Sequence, residues 1–262
     1  MSESCMIASF FQSLESHSVA YLLISGQATV LYGAATFSED IDLWIEPSPE
    51  NVERFRTALR EVNARYYKLT PPLETPYLRS GHGFHFFLGE LDNEAMFIDV
   101  LGCPPRSRVF AVALGESRHF ETDWGRLPTV GLRDLIELKK TQRLADYPII
   151  STLTLGVVEA SDVSAETLSW AVTNLFTAES FLFFNEHYPQ WVQSSDVPST
   201  LTRLAGRPAD EIPDSVIEEA ARWMNAAMAR HQRADRNYWR PIIEELRELR
   251  RDRILMHEGT PV

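Results

Sequence analysis

Residues 21–46, YLLISGQATVLYGAATFSEDIDLWIE, constrain what this chain can fold into more than any other stretch. Tyr21 to Ile24 are apolar and predict a short strand. Ser25 and Gly26 predict a small-residue turn, and a helical segment should follow and end near Gly33. An extended run comes next, with Asp40 and Asp42 two positions apart. Successive strand side chains alternate faces, so the two carboxylates point one way while Ile41, Leu43 and Ile45 point the other. Like charges side by side repel, and without a compensating cation they cost stability or lift a pKa.

A divalent cation removes that conflict. Mg2+ prefers oxygen ligands, usually one or two carboxylates together with phosphate oxygens of a substrate. The turn upstream suits such phosphates, because Ser25 and Gly26 stand where a strand gives way to a helix start. Free backbone N–H groups and the helix dipole favour an anion there. Asp-x-Asp alone would be ordinary strand chemistry; with Ser25-Gly26 at this distance upstream it points to nucleotide and metal.

The order strand, Ser25-Gly26, helix, Tyr32-Gly33, Ser38, Asp40-Ile41-Asp42 resembles the nucleotidyltransferase superfamily related to DNA polymerase beta. It is most similar to the small bacterial members, including those found in toxin–antitoxin pairs. Many such sequences carry Arg where Thr36 stands. The resemblance implies an NTP such as ATP as substrate, Mg2+ as cofactor, and Ser25 and Gly26 as contacts to the terminal phosphates. It also implies a third carboxylate that shares the metals with Asp40 and Asp42. Asp99 fits this, since in MFIDVLG it stands among apolar neighbours, where a carboxylate is costly without a partner. His85, on the strand before it, and His82, in the preceding loop, read as hydrogen-bonded core or edge residues rather than catalytic ones.

The rest of the chain supplies the setting. Residues up to about 18 predict a helix with Ile7, Phe10, Phe11 and Leu14 on one face, and Ser48-Pro49 caps a second helix whose stripe is Val52, Phe55, Leu59 and Val62. Residues 66–83 read as a Pro- and Gly-rich loop, 84–88 and 95–101 as a hairpin turning over 90–94, and 109–114 as strand-like. From about Gly131 a single helix should carry Leu132, Leu135 and Ile136 and then Lys139, Arg143 and Asp146 on one face. In the resembling family a similar Leu-x-x-Leu-Lys segment follows the catalytic sheet, which implies Lys139 as a phosphate contact; Arg143 and Asp146 read as mainly structural. Beyond Ser164 the pattern is helical, with one helix around residues 216–227 and another around 242–249, a packing centre at Phe181 to Phe184 with Trp191, and a basic run at Arg247, Arg250, Arg251 and Arg253.

These patterns predict an α+β chain, a small twisted sheet with flanking helices over 1–130, which the resemblance implies is nucleotidyltransferase-like, followed by an all-helical C-terminal domain over 131–262. With 262 residues and a net charge of −12, the chain is unsuited to indiscriminate binding of nucleic acid or anionic membrane. Its two cysteines, Cys5 and Cys103, have neither metal spacing nor a disulfide framework, so a cytoplasmic setting is expected, with no membrane segment. The expected function is Mg2+-dependent transfer of an NMP from an NTP to an acceptor hydroxyl. The alternative is an inactive member of the same fold that binds a small protein partner in a toxin–antitoxin pair. The acceptor, whether small molecule, tRNA or protein, is not specified by the sequence.

Overall fold

The computed structural model describes residues 3–90, 93–160, 163–193 and 197–262. In chain order the elements are α1 Glu3–Ser16, β1 Tyr21–Ile24, α2 Ser25–Leu31, β2 Asp40–Ile45, α3 Pro49–Glu61, β3 Arg65–Tyr66, α4 Thr75–Arg79, β4 Gly83–Glu90, β5 Asn93–Leu101, α5 Phe110–Gly115, β6 Arg118–Thr122, β7 Gly125–Thr129, α6 Leu132–Leu138, α7 Asp146–Ala160, α8 Ala165–Val172, α9 Ala178–His187, α10 Ser199–Thr202 and α11 Asp214–Arg251. The chain divides into two compact units, one of Met1–Leu138 with Tyr238–Val262 and the other of Lys139–Asn237.

In the first unit the described residues form a seven-stranded mixed sheet of order β3-β4-β5-β2-β1-β7-β6. β1 runs antiparallel to β2, β2 parallel to β5, and β5 antiparallel to β4. One sheet face is apolar for the reason the alternation gives: Leu23, Ile41, Leu43, Phe86, Ile98 and Val100 are buried in one core with Phe10, Phe11 and Leu14 of α1 and with Val52, Phe55 and Leu59 of α3. α3 starts where its cap requires, with Ser48 Oγ accepting from the Asn51 N–H and Pro49 in the first turn. The α+β class expected from the sequence is the one observed, with more strands than the small sheet anticipated.

Several local expectations are corrected. Residues 66–83 are not all loop: the edge strand β3 and the short α4 lie within or beside them, and the C-terminal tail bridges to the same edge through Pro261 with Arg65 and Met256 with Thr70. Residues 110–115 are helical, because Phe110 and Ala113 pack inward, Phe110 edge-on to Trp44 at 5.5 Å, and this tertiary contact outweighs strand propensity in so short a run. The helix expected from Gly131 stops at Leu138, whose carbonyl and that of Glu137 accept from the Arg106 guanidinium. The expected hairpin turn over 90–94 includes Leu91 and Asp92, which lie outside the described residues.

The second unit packs around Val158, Leu168, Val172, Phe181, Phe184, Trp191, Leu201 and Met224. The two helices expected over 216–249 are one helix, α11, which runs through Pro241. Its residues from Tyr238 onward belong to the first unit, where Tyr238 donates to the Cys103 carbonyl at 2.5 Å and Glu245 pairs with His82 at 2.9 Å. No helix among the described residues is long and apolar enough to cross a membrane.

Candidate functional site

The sheet face opposite the α1–α3 core carries the acidic residues. Asp40 and Asp42 alternate with the buried Ile41 and Leu43. β2 and β5 run parallel in a register that sets Asp42 opposite Asp99 and Asp40 opposite Phe97. Next across the sheet, β4 sets His85 opposite Asp99. The three acidic residues named from the sequence are thus gathered on adjacent strands of one face, two of them as direct neighbours.

Ser25 and Gly26 meet this group from the other side. β1 pairs Ile24 with Asp42, so the chain leaves β1 beside that carboxylate. Ser25 has φ 56°, an uncommon left-handed geometry for a residue with a side chain, and α2 begins there. The Ser25 hydroxyl and the Gly26 N–H lie beside the Asp42 carboxylate and favour its charged form. Despite these two donors, the Asp42 carboxyl is pushed up to about 7. Burial is the main cause, the neighbouring Asp99 charge the next, and Asp40 adds to it. Three carboxylates on one face thus disfavour the ionisation of Asp42.

Gly26 is required for a steric reason. A Cβ there would lie 2.1 Å from Ser38 Oγ and 2.9 Å from Ser38 Cβ. Gln27 Nε2 donates to the Ser38 carbonyl at 3.1 Å, and Ser38 Oγ donates to the Asp40 carbonyl at 3.2 Å. The turn after β1 and the entry to β2 are therefore locked together. Gly26→Ala is expected to lose about 1–3 kcal/mol of stability through overpacking. Adding Ser38→Gly should restore most of it in chemical denaturation; equal stability of the single variant and the wild type would show that the loop gives way freely.

His85 is hydrogen-bonded, as the sequence leads one to expect, and its partner is Asp99. His85 Nδ1 and Asp99 Oδ1 are 2.7 Å apart, with both side chains roughly a quarter to a third exposed at 27% and 29%. The signal available in the sequence was the pairing of two strands around a short turn, but the register that brings these residues opposite one another depends on the bulge between Leu88 and Glu90. His82 is fully buried, with Nε2 held by Glu245 and Nδ1 without a hydrogen-bond partner among the described residues.

Lys139 lies in the second unit, where its ammonium is 3.3 Å from Asp146 Oδ1 and Thr141 Oγ1 donates to the other Asp146 oxygen at 2.6 Å. Lys139 and Thr141 hold the Asp146 carboxylate, while the Arg143 carbonyl accepts from the Asp146 N–H at 3.2 Å. The break after Leu138 removes the common helical face on which these residues were placed.

Among the described residues no set of three or more His, Cys, Asp and Glu side chains is already drawn together closely enough to hold a metal ion. Asp99 is paired with His85, and Asp42 lies beside Ser25 and Gly26. The donor set itself is all hard oxygen on one face, which suits Mg2+ better than a soft metal. A scan against protein-family models finds no match, and no curated protein matches the sequence.

Proposed function

We propose that this chain is a Mg2+-dependent nucleotidyltransferase, with a nucleotidyltransferase-like first unit, that moves an NMP from an NTP to an acceptor hydroxyl. The observation that carries the reading is the register-matched pair Asp42 and Asp99, with Asp40 on the same face and the Asp42 carboxyl pushed up to about 7 by its neighbours. Carboxylates whose neighbours disfavour their ionisation are a functional-site signature.

Asp40, Asp42 and Asp99 would hold the metal, which when bound supplies charge neutralisation and alignment for the phosphates. The Ser25 hydroxyl and Gly26 N–H would donate to the phosphates that leave as pyrophosphate. Asp99 would take the proton of the acceptor hydroxyl as its oxygen bonds to the α-phosphorus. The α–β bridging P–O bond breaks, and its electron pair leaves with pyrophosphate. His85, hydrogen-bonded to Asp99, would fix the orientation of that carboxylate. The second unit's Lys139 is engaged with Asp146, and the proposed chemistry uses only first-unit residues.

The test incubates the chain with each α-labelled NTP, Mg2+ and cell extract and asks which fraction gains label. Label in one acceptor fraction, dependent on Mg2+, is the expected result. NTP binding without label in any fraction would replace this reading with that of an inactive binding protein. His85→Ala should lower transfer by about 10- to 100-fold, with His85→Asn, which keeps an N–H near the position of Nδ1, retaining more activity; equal losses in both would deny His85 an orienting role.

A further inference from the structure

The residues of the site form a row across the sheet. It starts at Ser25 and Gly26 after β1, passes through Asp42, Asp99 and His85 in register, and ends at Tyr67, whose N–H donates to the His85 carbonyl at 2.9 Å. In-line displacement at phosphorus puts the leaving and attacking oxygens on opposite sides. With pyrophosphate departing toward Ser25 and Gly26, the acceptor approaches from the His85 and Tyr67 end.

That end carries aromatic rings and a cation. Phe97 lies two residues before Asp99 on the same strand face, and it is paired with Asp40 on one side and Phe87 on the other. The Tyr67 ring lies 4.7 Å from Phe97 at a tilt of 37° and 6.1 Å from Phe87, edge-on. Tyr67 and Phe97 are only partly buried. Lys68 is exposed, has φ 59°, and places its ammonium 5.0 Å from the Tyr67 ring centre. A left-handed backbone at a lysine is a conformation that ordinary loop residues avoid.

A partly exposed ring pair beside an ammonium is complementary to a planar aromatic group bearing a negative charge. We propose that Tyr67, Phe97 and Lys68 form the acceptor subsite and that its occupant is a nucleobase carrying a phosphate. This inference rests on the transferase reading for its direction. The acceptor is then a nucleotide or the end of a nucleotide strand. The chain's acidic balance disfavours long polyanions, but it leaves room for one ring and one phosphate at a local cation.

The experiment uses the full chain with Mg2+ and saturating α,β-methylene ATP, so that the NTP position is filled and a second nucleotide reports the acceptor subsite. Probes are AMP, hexa-adenylate RNA, adenosine for the ring without charge, and tripolyphosphate for charge without the ring. AMP or hexa-adenylate should bind, adenosine and tripolyphosphate more weakly. Tyr67→Leu should weaken binding about tenfold, Tyr67→Phe should retain it, and Lys68→Asn, which tolerates the left-handed backbone, should weaken binding and its salt dependence together. Photo-cross-linking with 4-thio-UMP should map to the peptides that contain Tyr67 or Phe97. Tighter hexa-adenylate than AMP identifies a strand end, and equal binding a free nucleotide. Binding unaffected by Tyr67→Leu, cross-links elsewhere, or no binding of either nucleotide probe would overturn the subsite. Failure of the transferase reading looks different: no labelled product with any NTP, whatever these probes do.

Discussion

Asp42→Asn is expected to abolish nucleotidyl transfer, by about 10^3-fold or more, while making the bare protein more stable at pH 8. The two effects have one cause. The Asp42 carboxyl is raised from an ordinary 3.8 to about 7, so ionising it in the folded chain is unfavourable. Each pH unit corresponds to ~1.4 kcal/mol, which sets an upper bound of about 4 kcal/mol on the penalty. The gain for Asn is bounded by that penalty. A carboxyl with a raised folded-state pKa stabilises the fold fully below pH 3.8, and that contribution is lost as pH rises through about 7. The advantage of Asn should therefore be smallest near pH 4, grow between pH 4 and 7, and level off above. Mg2+ should raise the melting temperature of the wild type at pH 8 and leave that of Asp42→Asn nearly unchanged. Active Asp42→Asn enzyme would sink the assignment; a variant less stable than wild type at pH 8 would instead remove the electrostatic argument beneath it.

This site was legible in outline because its parts are local in sequence. The strand at Tyr21, the turn at Ser25 and the alternation around Asp40 and Asp42 all depend on neighbours within a few residues, and hydrophobic period decides them. Asp99 was legible as a lone carboxylate among apolar residues. The partner of Asp99 was not, because His85 reaches it only through a register that a bulge adjusts. The helix expected from Gly131 is the opposite case. A helical wheel assumes an unbroken helix, and the break after Leu138 comes from Arg106, a residue more than thirty positions upstream that no window on the helix contains. Residues 110–115 failed similarly, since the aromatic contact to Trp44 lies on another strand. The return of α11 to the first unit rests on Tyr238 and Glu245 meeting Cys103 and His82, contacts between residues far apart in the chain.

Trp191 gives the largest stability effect expected in the second unit. The residues around Phe181 form the packing centre that the sequence predicts, and Trp191 is fully buried, 6.0 Å from Phe181 in an edge-on arrangement. Trp191→Ala removes the largest side chain of that core and should cost about 3–5 kcal/mol. The indole N–H makes the prediction sharper. Trp191 Nε1 is buried and has no acceptor among the described residues, and an orphaned donor carries a desolvation penalty of about 1–3 kcal/mol. Trp191→Phe loses ring volume but also loses that penalty, and it keeps an aromatic partner for Phe181. The two terms offset, so Phe should cost less than about 1.5 kcal/mol. Hydrogen exchange of α8 and α9 amides separates this from the first unit, whose sheet amides should keep their protection in both variants. Comparable loss for Ala and Phe would mean that the indole N–H is satisfied in solution, and no loss for Ala would mean that the helices of this unit close around the vacated volume.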